Sequence, residues 1–188
     1  FATPMDALVP ALISCGAVKF GQFKLASGAT SDYYVDIKKA STDPKVLRLM
    51  GDGLAKRAGG ARRLAGMELG AVPLAAAAAL ASGIPFLMVR KKAKEHGTAS
   101  RIEGPFAPGE EVVVVEDVTT SGGSSIEAVK VLREAGLRLA VVMVRHVEDS
   151  PRLLRERADD GRRVSAPFLL NAASARMLGQ RGAEAIGA

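Results

Sequence analysis

At 188 residues, 48% hydrophobic and 24% charged, the chain fits one globular domain with a substantial core and is not an intrinsically disordered polymer. The formal net charge of +6 suits an anionic partner; aromatics are only 4% and Trp is absent, which argues against single-stranded nucleic acid held by base stacking, and a small polyanion explains the charge equally well. The single cysteine, Cys15, excludes an internal disulfide and a cysteine-rich metal site.

Thr3 and Pro4 read as the N-cap and first position of an amphipathic helix with Leu8, Leu12 and Cys15 on one face and Gly16 at its end. No basic segment followed by a long apolar stretch opens the sequence, so the expected location is cytoplasmic. Phe20, Phe23 and Leu25, then Tyr33 to Ile37, predict short strands broken by Gly21 and by Ser27-Gly28, a small antiparallel hood. Asp43 and Pro44 open a helix carrying Val46, Leu47, Met50 and Leu54, closed by Gly59 and Gly60. Arg63 to Met67 is a weak strand that leads through Glu68-Leu69-Gly70-Ala71 into an alanine-rich helix, started by Pro73 and ended by Gly83. The apolar run Val72 to Ile84 falls short of the roughly 18 residues of a membrane span. Strands are expected at Ile84–Val89, Val112–Glu116 and Leu139–Val144, with a helix at Ser124–Ala135 between the last two. Ser150-Pro151 starts a charged helix to about Asp160, Val164 to Leu170 forms an edge strand, and Asn171 caps a last helix before a frayed end.

This alternation predicts an α/β fold with a central parallel sheet, helices on both faces, and the small N-terminal antiparallel hood. The expected organisation is a single domain over 1–188, with the hood mainly in 1–40, the core in about 41–170 and a tail at 171–188.

The stretch VVVVEDVTTSGGSSIEAV, Val112 to Val129, carries the strongest chemical signal. Its valines suit a strand buried on both faces, and Ile126, Val129 and Leu132 recur at helical spacing, so the loop between them opens a helix. A helix start presents free N–H groups and a positive dipole end to an anion, and Thr120, Ser121, Ser124 and Ser125 add hydroxyls. Neither G-x-x-x-x-G-K-[ST] nor G-x-G-x-x-G is present, so this is not a P-loop or a dinucleotide fingerprint. Two carboxylates, Glu116 and Asp117, would repel a phosphate unless they accept from sugar hydroxyls or act through Mg²⁺. A ribose phosphate with a metal reconciles both charges. The bland alternative is an ordinary strand-to-helix turn capped by serines.

Ligands of open parallel sheets bind outside the carboxyl ends of the strands, which here gathers the loops after Met67, Val89, Glu116 and Val144. Arg90 to Gly104, RKKAKEHGTASRIEG, concentrates four cations in its first five positions and has few large apolar residues. It reads as a lid for a polyanion or, alternatively, as a solvated charged loop.

The acidic pair with its Thr/Ser/Gly loop resembles the phosphoribosyl-pyrophosphate (PRPP) signature of type I phosphoribosyltransferases. Two further segments are similar to the orotate phosphoribosyltransferase family: R-K-x-x-K-x-H-G from Arg90, and KFGQFKLASGATSDYYVD, Lys19 to Asp36, with matches at Phe20, Gly21, Phe23, Leu25, Ser27, Gly28, Ser31 and Tyr33. The resemblance spans about Phe20 to Arg145. It implies transfer of ribose 5-phosphate from PRPP to orotate, giving orotidine 5′-monophosphate and pyrophosphate in pyrimidine synthesis. It also implies Lys94, His96 and Asp117 as catalytic residues. PRPP would be held by Arg90, Lys91, Glu116, Asp117, Thr119, Thr120, Ser121, Gly122, Gly123 and Ser124, with Glu68, Leu69 and Gly70 at its pyrophosphate. Orotate would meet Ser27, Tyr33, Tyr34, Thr120 and Arg145, the arginine facing its carboxylate. The implied cofactor is Mg²⁺, held mainly by PRPP and waters near Glu116 and Asp117. The implied partners are PRPP, orotate and a second copy of the chain, in a homodimer that shares the Lys94 and His96 loop, with neither nucleic acid nor membrane.

Two positions depart from the family pattern: Ala26 stands where many members have a lysine, and Gly70 where many have a basic residue. A cis peptide at Glu68-Leu69 is a further implication of the resemblance. A purine phosphoribosyltransferase shares the acidic pair but has no need of Arg145 facing a carboxylate. A regulator that binds PRPP and DNA would need an added module, for which residues 1–19 are too few.

Overall fold

The computed structural model describes residues 4–24, 30–93, 100–119 and 123–147. Helix α1 (Pro4–Ser14) begins at the expected proline and buries Leu8, Val9 and Leu12. An antiparallel hairpin follows, β1 (Val18–Lys24) with β2 (Thr30–Val35), in which Phe20 lies opposite Tyr33 and Lys19 opposite Tyr34. Gly21, expected to break a strand, instead lies in a register shift between Phe20 and Phe23, where its φ of 144° is one that glycine adopts freely. Ile37 does not extend the second strand. It starts the short helix α2 (Ile37–Ala40), because the Asp36 carboxylate accepts from the Lys39 N–H and turns the chain so that Ile37 is buried. Helix α3 (Pro44–Ala55) has the predicted cap, Asp43 Oδ1 accepting from the Val46 N–H at 2.9 Å, and buries Val46, Met50 and Leu54.

From here strand and helix alternate: β3 (Arg63–Met67), α4 (Ala71–Ser82), β4 (Phe86–Val89), β5 (Ile102–Glu103), β6 (Glu111–Thr119), α5 (Gly123–Glu134) and β7 (Arg138–Val147). Helix α4 starts at Ala71, ahead of Pro73, and ends at Gly83, whose φ of 74° is the left-handed cap that glycine provides. The sheet order is β5-β4-β3-β6-β7, parallel except for β5, which pairs antiparallel with β4 inside the segment expected to be only a loop. Both β6 and β7 outrun their expected ends at Glu116 and Val144. Their ladder continues through Val118–His146 and Thr119–Val147, and those backbone hydrogen bonds override the poor strand propensity of Asp117. Arg145, expected just past a strand end, therefore lies within β7. The elements expected after Ser150, and the tail from 171, fall outside the described residues.

Alternation along β6 splits the core into two layers. Val113 and Val115 join Leu64, Met50, Leu54 and Leu74 on the side of α1, α3 and α4. Val112 and Val114 join Ala65, Leu87, Val89, Ala128 and Leu132 on the side of α5. Helices thus cover both faces, and each fully buried valine contributes about 1.5–3 kcal/mol. The face with more helices is closed by a tight crossing of α3 on α4: a Cβ at Gly51 would stand 2.7 Å from the carbonyl carbon and oxygen of Ala77. Gly51→Ala, which in an open helix would stabilise by up to about 1 kcal/mol, is expected here to destabilise by about 1–3 kcal/mol through overpacking against backbone. Urea unfolding measures this, and a stabilised variant would mean that the helices do not cross at that point.

Candidate active site

The sheet order creates a divergence. From β3 the chain passes through α4 to β4 on one side, whereas from β6 it passes through α5 to β7 on the other. The carboxyl ends of β3 and β6 are neighbours whose following helices lie on opposite faces, and this is where an open α/β sheet forms its ligand crevice.

The β3 side of the crevice is Glu68-Leu69-Gly70. Its Glu68-Leu69 peptide is cis, as the family resemblance implied. The Leu69 side chain is 77% exposed. Gly70 lies against Asp117 at the end of β6, so closely that a Cβ there would stand 2.6 Å from Asp117 Cγ. The carboxyl of Asp117 rests in the space that a Cβ at position 70 would take, so a side chain there would require that carboxyl to turn aside.

Glu116 and Asp117 are adjacent but not equivalent. Glu116 is only 3% exposed, and its Oε2 accepts from Ser125 Oγ of α5 at 3.0 Å while its Oε1 accepts from the Asp117 N–H at 3.2 Å. Burial, then the hydrogen bond and the charge of Asp117, push the Glu116 carboxyl up to about 8, against the opposing pull of the Ser125 hydroxyl and the Asp117 N–H. It is therefore mostly protonated at neutral pH. Ser125, read from the sequence as a phosphate donor, is 1% exposed and spends its hydroxyl on Glu116. Its neighbour Ser124 is exposed in the first turn of α5.

The third side is the start of the cationic segment. The Glu68 N–H donates to Val89 O at 2.8 Å, and Glu68 Oε1 accepts from the Lys91 N–H at 2.6 Å, so Glu68 ties the β3 loop to the end of β4. Arg90 forms an ion pair with Glu103 of β5 at 3.5 Å. Arg101, which the sequence reading did not single out, donates from Nε to Arg90 O at 3.1 Å, from Nη2 to Lys91 O at 2.8 Å and from Nη1 to Glu127 Oε1 of α5 at 2.6 Å. Its one sequence signal was position: it is the arginine just before the chain returns to the sheet.

The structure brings together Glu68, Leu69, Gly70, Arg90, Lys91, Glu116 and Asp117, with Thr119 ending β6 and Gly123 and Ser124 opening α5. Arg145 lies between the paired residues Val144 and His146, alongside the Asp117 segment of β6. In the hood, Tyr34 is 38% exposed with its ring centroid 5.7 Å from that of Phe23, and the Tyr33 backbone pairs with Phe20. Ser27, Lys94, His96, Thr120, Ser121 and Gly122 fall outside the described residues.

Among the described residues, no group of three or more His, Cys, Asp or Glu stands ready to hold a metal. With Glu116 engaged by Ser125, Asp117 is the carboxyl of the pair that faces the β3 loop. One available carboxyl fits a hard cation that takes most of its oxygens from a phosphate ligand and water, the usual habit of Mg²⁺.

The buried Glu116 also makes stability depend on pH. Its folded value of about 8 lies above the ordinary 4.5, so its contribution is complete below pH 4.5 and is lost as pH rises through about 8. Glu116→Gln is expected to flatten this decline. Urea midpoints measured from pH 5 to 8.5 should fall by more in the parent chain than in the variant, and parallel profiles would show that Glu116 is not held neutral.

No family model matches the chain. It is 48% identical over 158 residues to orotate phosphoribosyltransferase of Methanosarcina acetivorans, covering 82% of this chain and 84% of that protein. It is 53% identical over 137 residues to orotate phosphoribosyltransferase of Natronomonas pharaonis, covering 73% and 79%. Orotate phosphoribosyltransferase of Mycobacterium tuberculosis H37Rv superposes with a TM-score of 0.76 in its Fe(III) dicitrate complex, at 29% identity over 92% of this chain and 99% of that one. The PRPP complex of the same protein gives a TM-score of 0.71, at 25% identity over 93% and 99%. Relatives of this similarity across most of both sequences, with a solved member that superposes over most of the chain, show that the chain belongs to the orotate phosphoribosyltransferase family.

Proposed function

We propose that the chain transfers ribose 5-phosphate from PRPP to N1 of orotate, giving orotidine 5′-monophosphate and pyrophosphate in de novo pyrimidine (UMP) synthesis, as one phosphoribosyltransferase domain over residues 1–188. The observation that carries this reading is the crevice between the ends of β3 and β6, where Asp117 faces Gly70 beside the start of α5. In the reaction the bond from the ribosyl carbon to pyrophosphate breaks, pyrophosphate leaves with the electron pair, and the N1 lone pair of orotate forms the new bond.

The backbone N–H groups and hydroxyls from Thr119, Thr120 and Ser121 through Gly122, Gly123 and Ser124 hold the 5-phosphate at the helix start. Asp117, the available carboxyl, and Glu116 behind it take the ribose hydroxyls, directly or through Mg²⁺ waters. The neutral Glu116 can donate as well as accept, and the Asp117 carboxyl favours the positive charge that develops on the ribosyl group. Arg90, Lys91, Lys94 and His96, with the backbone of Glu68, Leu69 and Gly70, receive the charge that grows on pyrophosphate. Mg²⁺, held mainly by PRPP and waters near Asp117, adds positive charge at the same place when bound. Ser27, Tyr33, Tyr34 and Thr120 surround orotate, and Arg145 offers its carboxylate a planar pair of donors.

Self-association is the second part of the reading. Helix α4, AVPLAAAAALAS, has no charged residue; its Leu80 is 90% exposed, and Leu69 just before the helix is 77% exposed. A helix apolar on all sides is normally covered, and a second copy of this chain is the cover proposed, bringing Lys94 and His96 into the partner's site. Among the described residues no helix is long and apolar enough to cross a membrane, and the proposed setting is the cytoplasm.

Purified protein with PRPP and Mg²⁺, offered orotate, uracil, adenine or hypoxanthine in separate reactions, tests the assignment. Turnover of orotate alone, followed by its loss of absorbance, is expected, and turnover only of a purine would sink it. The shared loop has its own test. Lys94→Ala is expected to lower kcat by about a hundredfold or more with a smaller effect on binding. Mixing it with Asp117→Asn should then restore part of the lost activity, because some heterodimers hold one intact site. No recovery despite proven subunit exchange would place the loop in cis.

A further inference from the structure

We infer that Arg101 is a positioning residue for the PRPP site, joining the chain that carries Arg90 and Lys91 to helix α5, which opens at the phosphate cradle. The inference rests on the PRPP reading above and adds a residue to it.

A guanidinium is planar, with donors fixed in several directions, so one arginine can hold groups on separate elements at a set distance. Arg101 uses that property fully. Nε and Nη2 take the consecutive carbonyls of Arg90 and Lys91, while Nη1 takes the Glu127 carboxylate in the second turn of α5. The backbone also closes on itself, since the Arg90 N–H donates to Arg101 O at 2.8 Å. The β4–β5 ladder pairs only Met88 with Glu103 and Val89 with Ile102, so the Arg101 contacts prolong the order to Lys91, beyond the end of strand β4.

On its other flank the same short segment is held by Glu68, which accepts from the Lys91 N–H. Glu68, Lys91, Arg101 and Glu127 therefore form a continuous bridge from the β3 loop to α5. In the proposed reaction the β3 loop and Arg90–Lys91 meet the pyrophosphate end of PRPP, and the start of α5 meets the 5-phosphate end. A bridge between them fixes their separation before the ligand arrives, so less ordering is needed on binding. Both ends of the Arg101–Glu127 pair are partly exposed, at 26% and 43% of the side chain, and such a pair contributes little to the stability of the fold. Its effect should appear in PRPP affinity.

The test uses the full chain and measures PRPP binding by calorimetry together with KM for each substrate and Tm. The variants are Arg101→Lys, Arg101→Gln, Glu127→Gln and the double Arg101→Gln/Glu127→Gln. Both Arg101 variants are expected to weaken PRPP about tenfold, with KM for orotate within about twofold and little change in Tm. Glu127→Gln should have a smaller effect of the same kind, and the double variant should be no worse than Arg101→Gln alone, as for residues acting through one contact. Wild-type PRPP affinity in Arg101→Lys would overturn the role of the planar donor set. Additive losses would overturn the bridge to α5, and a fall in Tm with unchanged PRPP binding would reduce Arg101 to a structural residue. A parent chain that binds no PRPP would instead remove the reading of the reaction, so the two failures are separable.

Discussion

A strand buried on both faces can show polar side chains only where it leaves the core, and β6 makes the rest of the site depend on that constraint. Val112 to Val115 are at most 2% exposed. The pleat that sends Val114 to the α5 layer and Val115 to the α3 and α4 layer continues into the next two residues. Glu116 follows Val114 and meets Ser125 of α5; Asp117 follows Val115 and meets Gly70 at the foot of α4. The inequality of the two carboxyls is thus the alternation of a strand carried past the edge of its hydrophobic core. Glu116 is desolvated by the layer it faces and, with the Asp117 carboxyl beside it, held mostly protonated, while Asp117 lies against Gly70.

The same geometry sets Gly70 against the Asp117 carboxyl. Many family members have a basic residue at this position of the β3 loop, whereas the glycine here lets Asp117 approach that loop closely. The neighbouring segment carries Arg90 and Lys91, and Glu68 holds the Lys91 backbone at the end of β4. The β3 loop thus anchors that segment, and the cations sit on a different element from the loop.

Sequence patterns revealed most of the scaffold because their signals were local. Asp43-Pro44 capped a helix, Gly83 ended one, and the valine run at 112–115 was legible as a strand with two buried faces. What escaped depended on partners distant in sequence. Two residues, Ile102 and Glu103, carry no periodicity, and their strand exists only because β4 lies beside them. Asp117 to Thr119 looked like loop because an acidic residue and threonine precede glycines, yet the ladder with β7 extends through them. The identity of the acidic pair as a site was readable from adjacency, whereas the neutrality of Glu116 came from burial against α5, which adjacency cannot reveal. Ile37 shows the reverse case, an apolar residue read as strand that a local Asp36 cap turned into a helix start.

Charge was the least transferable of the sequence signals. Cations at 90, 91, 92 and 101 look interchangeable in the sequence, but the fold divides them by chemistry. Arg101, bound to Glu127 and two carbonyls, helps to build the frame, while Arg90 is paired with Glu103 and remains partly exposed. Lys91 and Lys92 are exposed at the end of β4. A planar guanidinium with several fixed donors suits the first task, and a flexible ammonium that acts as a point charge suits contact with a phosphate whose charge changes during reaction. The basic character that first suggested an anionic partner is therefore divided in this segment between a cation bound into the frame and cations left exposed.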